Sequence, residues 1–90
     1  MTPVQKNLAR HALGLDGRHK QTWRNHFVTG EGSTDYPHWV AMVEAGWATR
    51  RTGSVLTGGD DLFRLTRAGA ELAVKRGEAL DPEAFPVVPA

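Results

Sequence analysis

Apolar residues recur at helical spacing in three stretches of the chain. The first stretch predicts a helix over Pro3–Leu13, and the second predicts one that begins near Ser33–Pro37 and ends at Ala45. The third predicts a helix over Arg67–Arg76. The apolar positions of these three stripes are Val4, Leu8, Ala12, Leu15, Tyr36, Trp39, Val40, Val43, Trp47, Ala68, Leu72 and Ala73. Each stripe predicts the face of its helix that packs into the core.

Residues with capping chemistry stand at the ends of these predicted helices. Thr2 and Gln5 match the capping box that satisfies the first backbone N–H groups of a helix, and Thr66 can cap the last helix. Gly46 and Gly77 follow the second and third helices, where glycine ends a helix in a left-handed conformation at low cost. The caps therefore support the bounds that the spacing predicts.

The apolar spacing changes after the second helix. Trp47–Thr52 and Leu62–Thr66 predict two β-strands, joined by a loop over Gly53–Asp61 that is rich in glycine and aspartate. The order of helix, strand, loop, strand and helix predicts an α+β fold that is mostly α-helical. We expect three to four helices and a two-stranded antiparallel hairpin.

Residues 18–28 are compatible with two structures. A short helix would place Trp23 and Phe27 on one face, whereas a strand over Trp23–Thr29 is the competing prediction. We predict the helix. Small domains bury the aromatic side chains that they have, so both rings are expected in the core. The alternative is that these rings stack on nucleic-acid bases among their basic neighbours.

The chain has 90 residues, which allow one domain. We predict that residues 1–77 form it and that residues 78–90 form an extended, proline-containing tail, from which Phe85, Val87 and Val88 could cross the body. The absence of cysteine excludes disulfides and thiol chemistry. No apolar run approaches the roughly 20 residues of a membrane span, and the N-terminus lacks a secretory signal, so a cytoplasmic protein without membrane contact is expected.

Charge is unevenly distributed along the chain, although the net charge is only +1. Residues 1–29 and 50–76 are basic, whereas residues 30–49 and 77–90 are acidic. The two basic blocks could form one face that binds the phosphates of a nucleic acid. A mixed, solvated surface is the simpler interpretation at so small a net charge. The candidate phosphate-binding residues are Arg18, Lys20, Arg24, Arg50, Arg51 and Arg64.

No grouping of residues has the spacing of a catalytic or metal site. The four histidines lack ligand spacing such as His-x-x-x-His, and the two serines have no evident base. Asp60 and Asp61 stand beside two glycines, as is typical of a solvated loop. We therefore expect a protein that is not an enzyme and that has no cofactor, metal or small-molecule substrate.

Residues 43–73 resemble the wing region of MarR- and PadR-like winged-helix proteins. Val43-Glu44-Ala45-Gly46-Trp47 resembles their step from the recognition helix into a strand, and Phe63-Arg64-Leu65-Thr66-Arg67-Ala68-Gly69 resembles their step from the wing into the next helix. The resemblance covers about a third of the chain and implies a winged-helix-like fold whose two-stranded hairpin is the wing. The whole chain is also similar to small phage and prophage proteins, which implies a bacterial host cell as its setting.

The resemblance implies a regulatory protein that binds nucleic acid. The recognition helix of these families is rich in Ser, Thr, Gln and Arg, whereas the second helix here offers His38, Ala41 and Glu44. We therefore expect the six basic residues named above, and not this helix, to contact duplex DNA.

The alternative function is a protein-interaction factor that binds and inhibits a host complex, as an anti-CRISPR does. The low net charge and the acidic second helix favour this alternative. The apolar residues Val55 and Leu56, at the tip of the predicted loop, are typical of a contact surface. The competing expectation is that they fold back onto Trp47 or Phe63. Whether the chain forms a homodimer is open. The residues expected to carry the alternative are Val55, Leu56, Asp60 and Asp61.

Overall fold

Three helices and three strands form the part of the chain that the computed structural model describes, residues 1–53 and 58–86. The elements are α1 (Pro3–Leu13), β1 (Phe27–Thr29), α2 (Tyr36–Glu44), β2 (Ala48–Arg51), β3 (Asp61–Leu65) and α3 (Arg67–Ala73). The strands form one antiparallel sheet in the order β1-β3-β2. α1 packs against α3, and α2 packs against β2. The predicted α+β class is confirmed.

The first helix has the bounds and the cap that its sequence predicts. Thr2 Oγ1 accepts a hydrogen bond from Gln5 N at 3.1 Å, and Gln5 Oε1 accepts one from Thr2 N at 2.9 Å. Gly14 ends α1 with a left-handed φ of 78°. The buried residues Ala9, Ala12 and Leu13 form the face of α1 that packs into the core.

The second helix and the two predicted strands lie close to their expected positions. α2 ends one residue before the predicted Ala45, and Gly46 follows with a left-handed φ of 82°. The chain then turns directly into β2, because Trp47 N donates to Met42 O at 2.9 Å. β2 and β3 pair in the register Ala48 opposite Leu65.

The sheet has three strands, one more than the predicted two-stranded hairpin, and the predicted helix over residues 18–28 is wrong. Phe27–Thr29 is a third strand, and Phe27 lies opposite Phe63 of β3. A helix cannot form here because the preceding backbone bonds to the end of α1: Trp23 N donates to Leu13 O at 3.2 Å, and His26 N donates to Ala12 O at 3.3 Å. Aromatic and β-branched side chains such as those of β1 also favour a strand.

The side chain of Asn25 extends the pairing between β1 and β3. Its Nδ2 donates to Leu65 O at 3.0 Å, and its Oδ1 accepts from Leu65 N at 2.8 Å. The amide therefore replaces a strand residue at the end of the sheet, where an unpaired backbone N–H would be costly to bury.

Trp39 lies at the centre of the core and is fully buried. Its ring contacts the rings of Phe27 and Phe63, with centroid distances of 5.2 and 5.5 Å. Leu13, Met42 and the alanines of α1 and α3 surround this aromatic group. The core thus joins all three helices to the face of the sheet that carries Phe63.

The last helix approaches the sheet closely through Gly69, as its sequence predicts. A Cβ atom at this position would lie 2.0 Å from Trp47 O, so any larger residue would push α3 away. Thr66 caps the helix by accepting a hydrogen bond from Gly69 N at 3.2 Å. The predicted end at Arg76 is wrong: α3 ends at Ala73, and Val74 is extended with a ψ of 146°.

Residues 78–86 pack on the rest of the protein. Arg10 forms two hydrogen bonds with the Glu78 carboxylate, the second of them at 2.8 Å, and Lys75 N donates to the same carboxylate. Both charged side chains are almost buried, with 11% and 4% of their surface exposed. Phe85 is buried in the core, while Val87 and Val88 lie outside the described residues.

We expect E78Q to lower the free energy of unfolding by about 2 kcal/mol at neutral pH, because Arg10 would lose its charged partner. The hydrogen bonds from Arg10 lower the pKa of the Glu78 carboxyl from 4.5 to about 2. Because folding lowers this pKa, the stabilisation is present above the unfolded value of 4.5 and is lost as the pH falls toward 2. The difference between wild type and E78Q in urea denaturation should shrink over that range.

The control for this measurement is E71Q, which removes the charge from an exposed pair with Arg67. It should change stability by less than about 0.5 kcal/mol. A difference between wild type and E78Q that stayed constant from neutral to acidic pH would contradict the assigned role of Glu78.

Candidate nucleic-acid interface

Within residues 1–53 and 58–86, no helix covers one of the two faces of the sheet. Side chains alternate between the two faces of a strand, and burial alternates accordingly: Phe63 and Leu65 are buried, whereas Arg64 between them is exposed. We call the uncovered face the outer face. It comprises Val28 of β1, Thr49 and Arg51 of β2, and Leu62 and Arg64 of β3.

The outer face has an apolar centre with two arginines beside it. Leu62 lies opposite Val28 on one side and opposite Arg51 on the other. Arg64 lies opposite Thr49, so it is diagonal to Arg51, a relation that places Cβ atoms about 7–8 Å apart. Within the described residues, neither arginine has an acidic partner. Both guanidinium groups are therefore available to an anion.

Arg50 points to the other face and is part of the protein's internal structure. Its Nε donates to Asp61 Oδ2 at 2.7 Å, and its guanidinium lies 5.5 Å from the centre of the Tyr36 ring. The same carboxylate accepts hydrogen bonds from Tyr36 Oη at 2.8 Å and from Gly53 N at 2.9 Å. Tyr36 first, and then Arg50, hold the pKa of Asp61 below its ordinary value. These contacts give Arg50 a structural role, in contrast to the two arginines of the outer face.

The prediction that Asp60 and Asp61 lie in a solvated loop is wrong for Asp61. This residue belongs to β3 and is only 7% exposed, because its carboxylate joins the second helix to both strands of the hairpin. Asp60 is exposed. Val55 and Leu56, the apolar residues expected to bind a host protein, lie outside the described residues.

The basic residues between α1 and β1 occupy different positions. Arg24 donates from Nε and Nη2 to His11 O at 3.1 and 2.7 Å. Arg18 and Lys20 are exposed, and the backbone carbonyl of Lys20 accepts a hydrogen bond from Ala79 N at 2.8 Å. Arg24 thus has a structural role, whereas the side chains of Arg18 and Lys20 face solvent.

Arg24 connects this segment with the outer face. Together with His26 and Val28 it lines a shallow concavity of about 320 Å³ beside β1. The structure therefore brings Arg24 next to the sheet, although it does not place Arg18 and Lys20 on the outer face. Val28 was not among the residues that the sequence predicted for this site, and strand alternation in residues 26–29 was the signal that could have found it.

The comparisons with known proteins add no further identification. No protein-family model, curated protein or solved structure matches this chain. In the described ranges, no helix is long and apolar enough to cross a membrane. Among the same residues, no three His, Asp or Glu side chains form a group that could hold a metal ion.

We expect R50A and R51A to differ in their effect on stability. R50A should lower the melting temperature by roughly 5 °C, because Asp61 and the Tyr36 ring would lose their cationic partner. R51A should leave it almost unchanged, since the side chain is exposed and makes no ion pair in the described structure. Thermal denaturation followed by circular dichroism measures both, and equal effects would contradict the assignment of the two arginines to opposite faces.

Proposed function

We propose that this protein is a small, non-enzymatic, winged-helix-like module that binds nucleic acid and has a regulatory role, in a phage or prophage setting. The observation that carries the proposal is the outer face of the sheet. Arg51 and Arg64 stand there without acidic partners in the described residues. Arginine side chains of this kind bind the phosphates of a nucleic-acid backbone.

The structure supports a role for the sheet rather than for α2. The helix has nine residues, and its exposed side chains are those of Pro37, Ala41 and Glu44. None of these is a cation, and Glu44 would repel a phosphate. Contacts to base edges by such a helix are therefore unfavourable, whereas the outer face offers two cations in a fixed register.

The order of elements supports the winged-helix-like part of the proposal. α2 leads directly into the antiparallel pair β2–β3, and α3 follows that pair. In this proposal β2 and β3 form the wing, while β1 adds a third strand to its base. Phosphate contacts then come from Arg51 and Arg64, with Arg18 and Lys20 as further exposed cations and Arg24 and Arg50 as structural residues.

We expect binding to weaken steeply as salt rises, because cationic side chains release counterions from the nucleic acid. Fluorescence anisotropy with a labelled oligonucleotide across a salt series gives the slope of log affinity against log salt. R51A and R64A should each reduce the size of this slope by ~0.9 on a duplex or ~0.7 on a single strand.

The matched control is R76A, which removes the same charge from an exposed residue that follows α3. It should leave the slope unchanged. Wild-type binding that does not respond to salt, or an equal loss of slope in R76A, R51A and R64A, would contradict the proposed interface.

A further inference from the structure

We propose that Trp23 stacks on an unpaired base, so that the nucleic acid bound by this protein is single-stranded; this inference rests on the proposed function. Trp23 is 56% exposed, more than the exposed residues Val4, Val28 and Leu72. This exposure contradicts the expectation that Trp23 anchors the core. An exposed indole in a small domain is unusual, because burial of such a ring is strongly favourable.

The exposed indole is nevertheless held in one orientation. Trp23 Nε1 donates to Gly14 O at 2.9 Å, and Trp23 N donates to Leu13 O at 3.2 Å. The site requires glycine at position 14, because a Cβ atom there would lie 2.1 Å from Trp23 Nε1. A ring that is fixed before binding loses little conformational entropy when a base stacks on it.

The surroundings of Trp23 are predominantly cationic. The Arg24 guanidinium lies over the indole, 4.8 Å from its centroid, and is itself held by His11 O. The exposed side chains of Arg18 and Lys20 are nearby in the chain. Asp16 is the acidic residue of this segment. Its Oδ1 accepts hydrogen bonds from Arg18 N and His19 N, and it also forms a hydrogen bond with the His19 ring. This environment favours a polyanion.

A second ring adjoins the indole. The His19 imidazole lies 5.6 Å from Trp23, with an angle of 39° between the planes. A hydrogen bond between His19 Nδ1 and the Asp16 carboxylate, at 3.0 Å, holds this ring in place. The exposed indole therefore has a second held ring beside it, and basic residues precede and follow it in the sequence.

Stacking of this kind selects a single strand. In a duplex both faces of an internal base are covered by its neighbours, whereas an unpaired base offers its face to an aromatic side chain. Val28 of the outer face is five positions after Trp23 in the chain, a span of at most roughly 17 Å. Arg24 and His26 lie along that span and line the concavity beside β1. One strand could therefore follow this path, stack on Trp23 and reach Arg64.

The test compares W23A, W23L and W23F with wild type by fluorescence anisotropy. The probes are a labelled oligothymidylate of about 12 nucleotides and a mixed-sequence duplex of the same length. Wild type should prefer the single strand. W23A and W23L should weaken its binding roughly 10-fold or more, with the salt slope unchanged, because the phosphate contacts remain. W23F should retain most of the affinity, since it keeps an aromatic ring.

The control variant is L72A, which truncates another exposed apolar residue, on α3. It should bind as wild type does. W23L keeps an apolar side chain at position 23, so the test does not depend on the folding of W23A, and circular dichroism verifies the fold of each variant.

Two results would overturn the inference about Trp23 alone, and a third would overturn the proposed function as well. If wild type prefers the duplex, or if W23A and W23L bind the single strand as tightly as W23F, Trp23 does not stack on a base. The proposed function would then survive, provided that R51A and R64A still reduced the salt slope. If wild type binds neither probe, both the inference and the proposed function fail, and the exposed indole would belong to a protein-binding surface.

Discussion

The contact of Trp39 with Phe27 and Phe63 is the constraint on which the rest of the structure depends. It joins α2 to two strands, and Phe27 and Phe63 are direct partners in the sheet. Trp39 Nε1 is buried without a hydrogen-bond partner among the described atoms, so ring packing outweighs the cost of that unsatisfied donor. Because side chains alternate along a strand, burying Phe63 on one face forces Leu62 and Arg64 onto the other.

The same alternation gives neighbouring arginines opposite roles. Arg50 shares the inner face with Phe63, where Asp61 and the Tyr36 ring hold it. Arg51, one residue later, joins Leu62 and Arg64 on the outer face. A shift of one residue in the pairing of β2 and β3 would exchange these roles. The candidate interface is therefore a consequence of the core rather than a separate feature of the surface.

Local signals in the sequence were sufficient for α1, α2 and the hairpin of β2 and β3. The capping box at Thr2 and Gln5 and the helical spacing predicted α1 to the residue, and the left-handed Gly46 marked the turn from α2 into β2. The third strand was only the competing prediction to a helix, because pairing with a strand 36 residues away decided the structure of Phe27. The spacing of Trp23 and Phe27 is helical only when that long-range contact is ignored.

The candidate site was predicted in part, for a similar reason. The six basic candidates include Arg51 and Arg64 of the outer face, but the sequence could not separate Arg50 from Arg51, since that distinction depends on the strand register and on Asp61. Trp23 was expected in the core, yet Trp39, Phe63 and Phe85 occupy the buried aromatic positions.

The most direct test of the outer face as a nucleic-acid interface is the amide chemical-shift map during titration with oligothymidylate. Shifts at Val28, Leu62 and Arg64 with α2 unchanged would confirm the outer face as the binding surface, whereas shifts confined to α2 would contradict it.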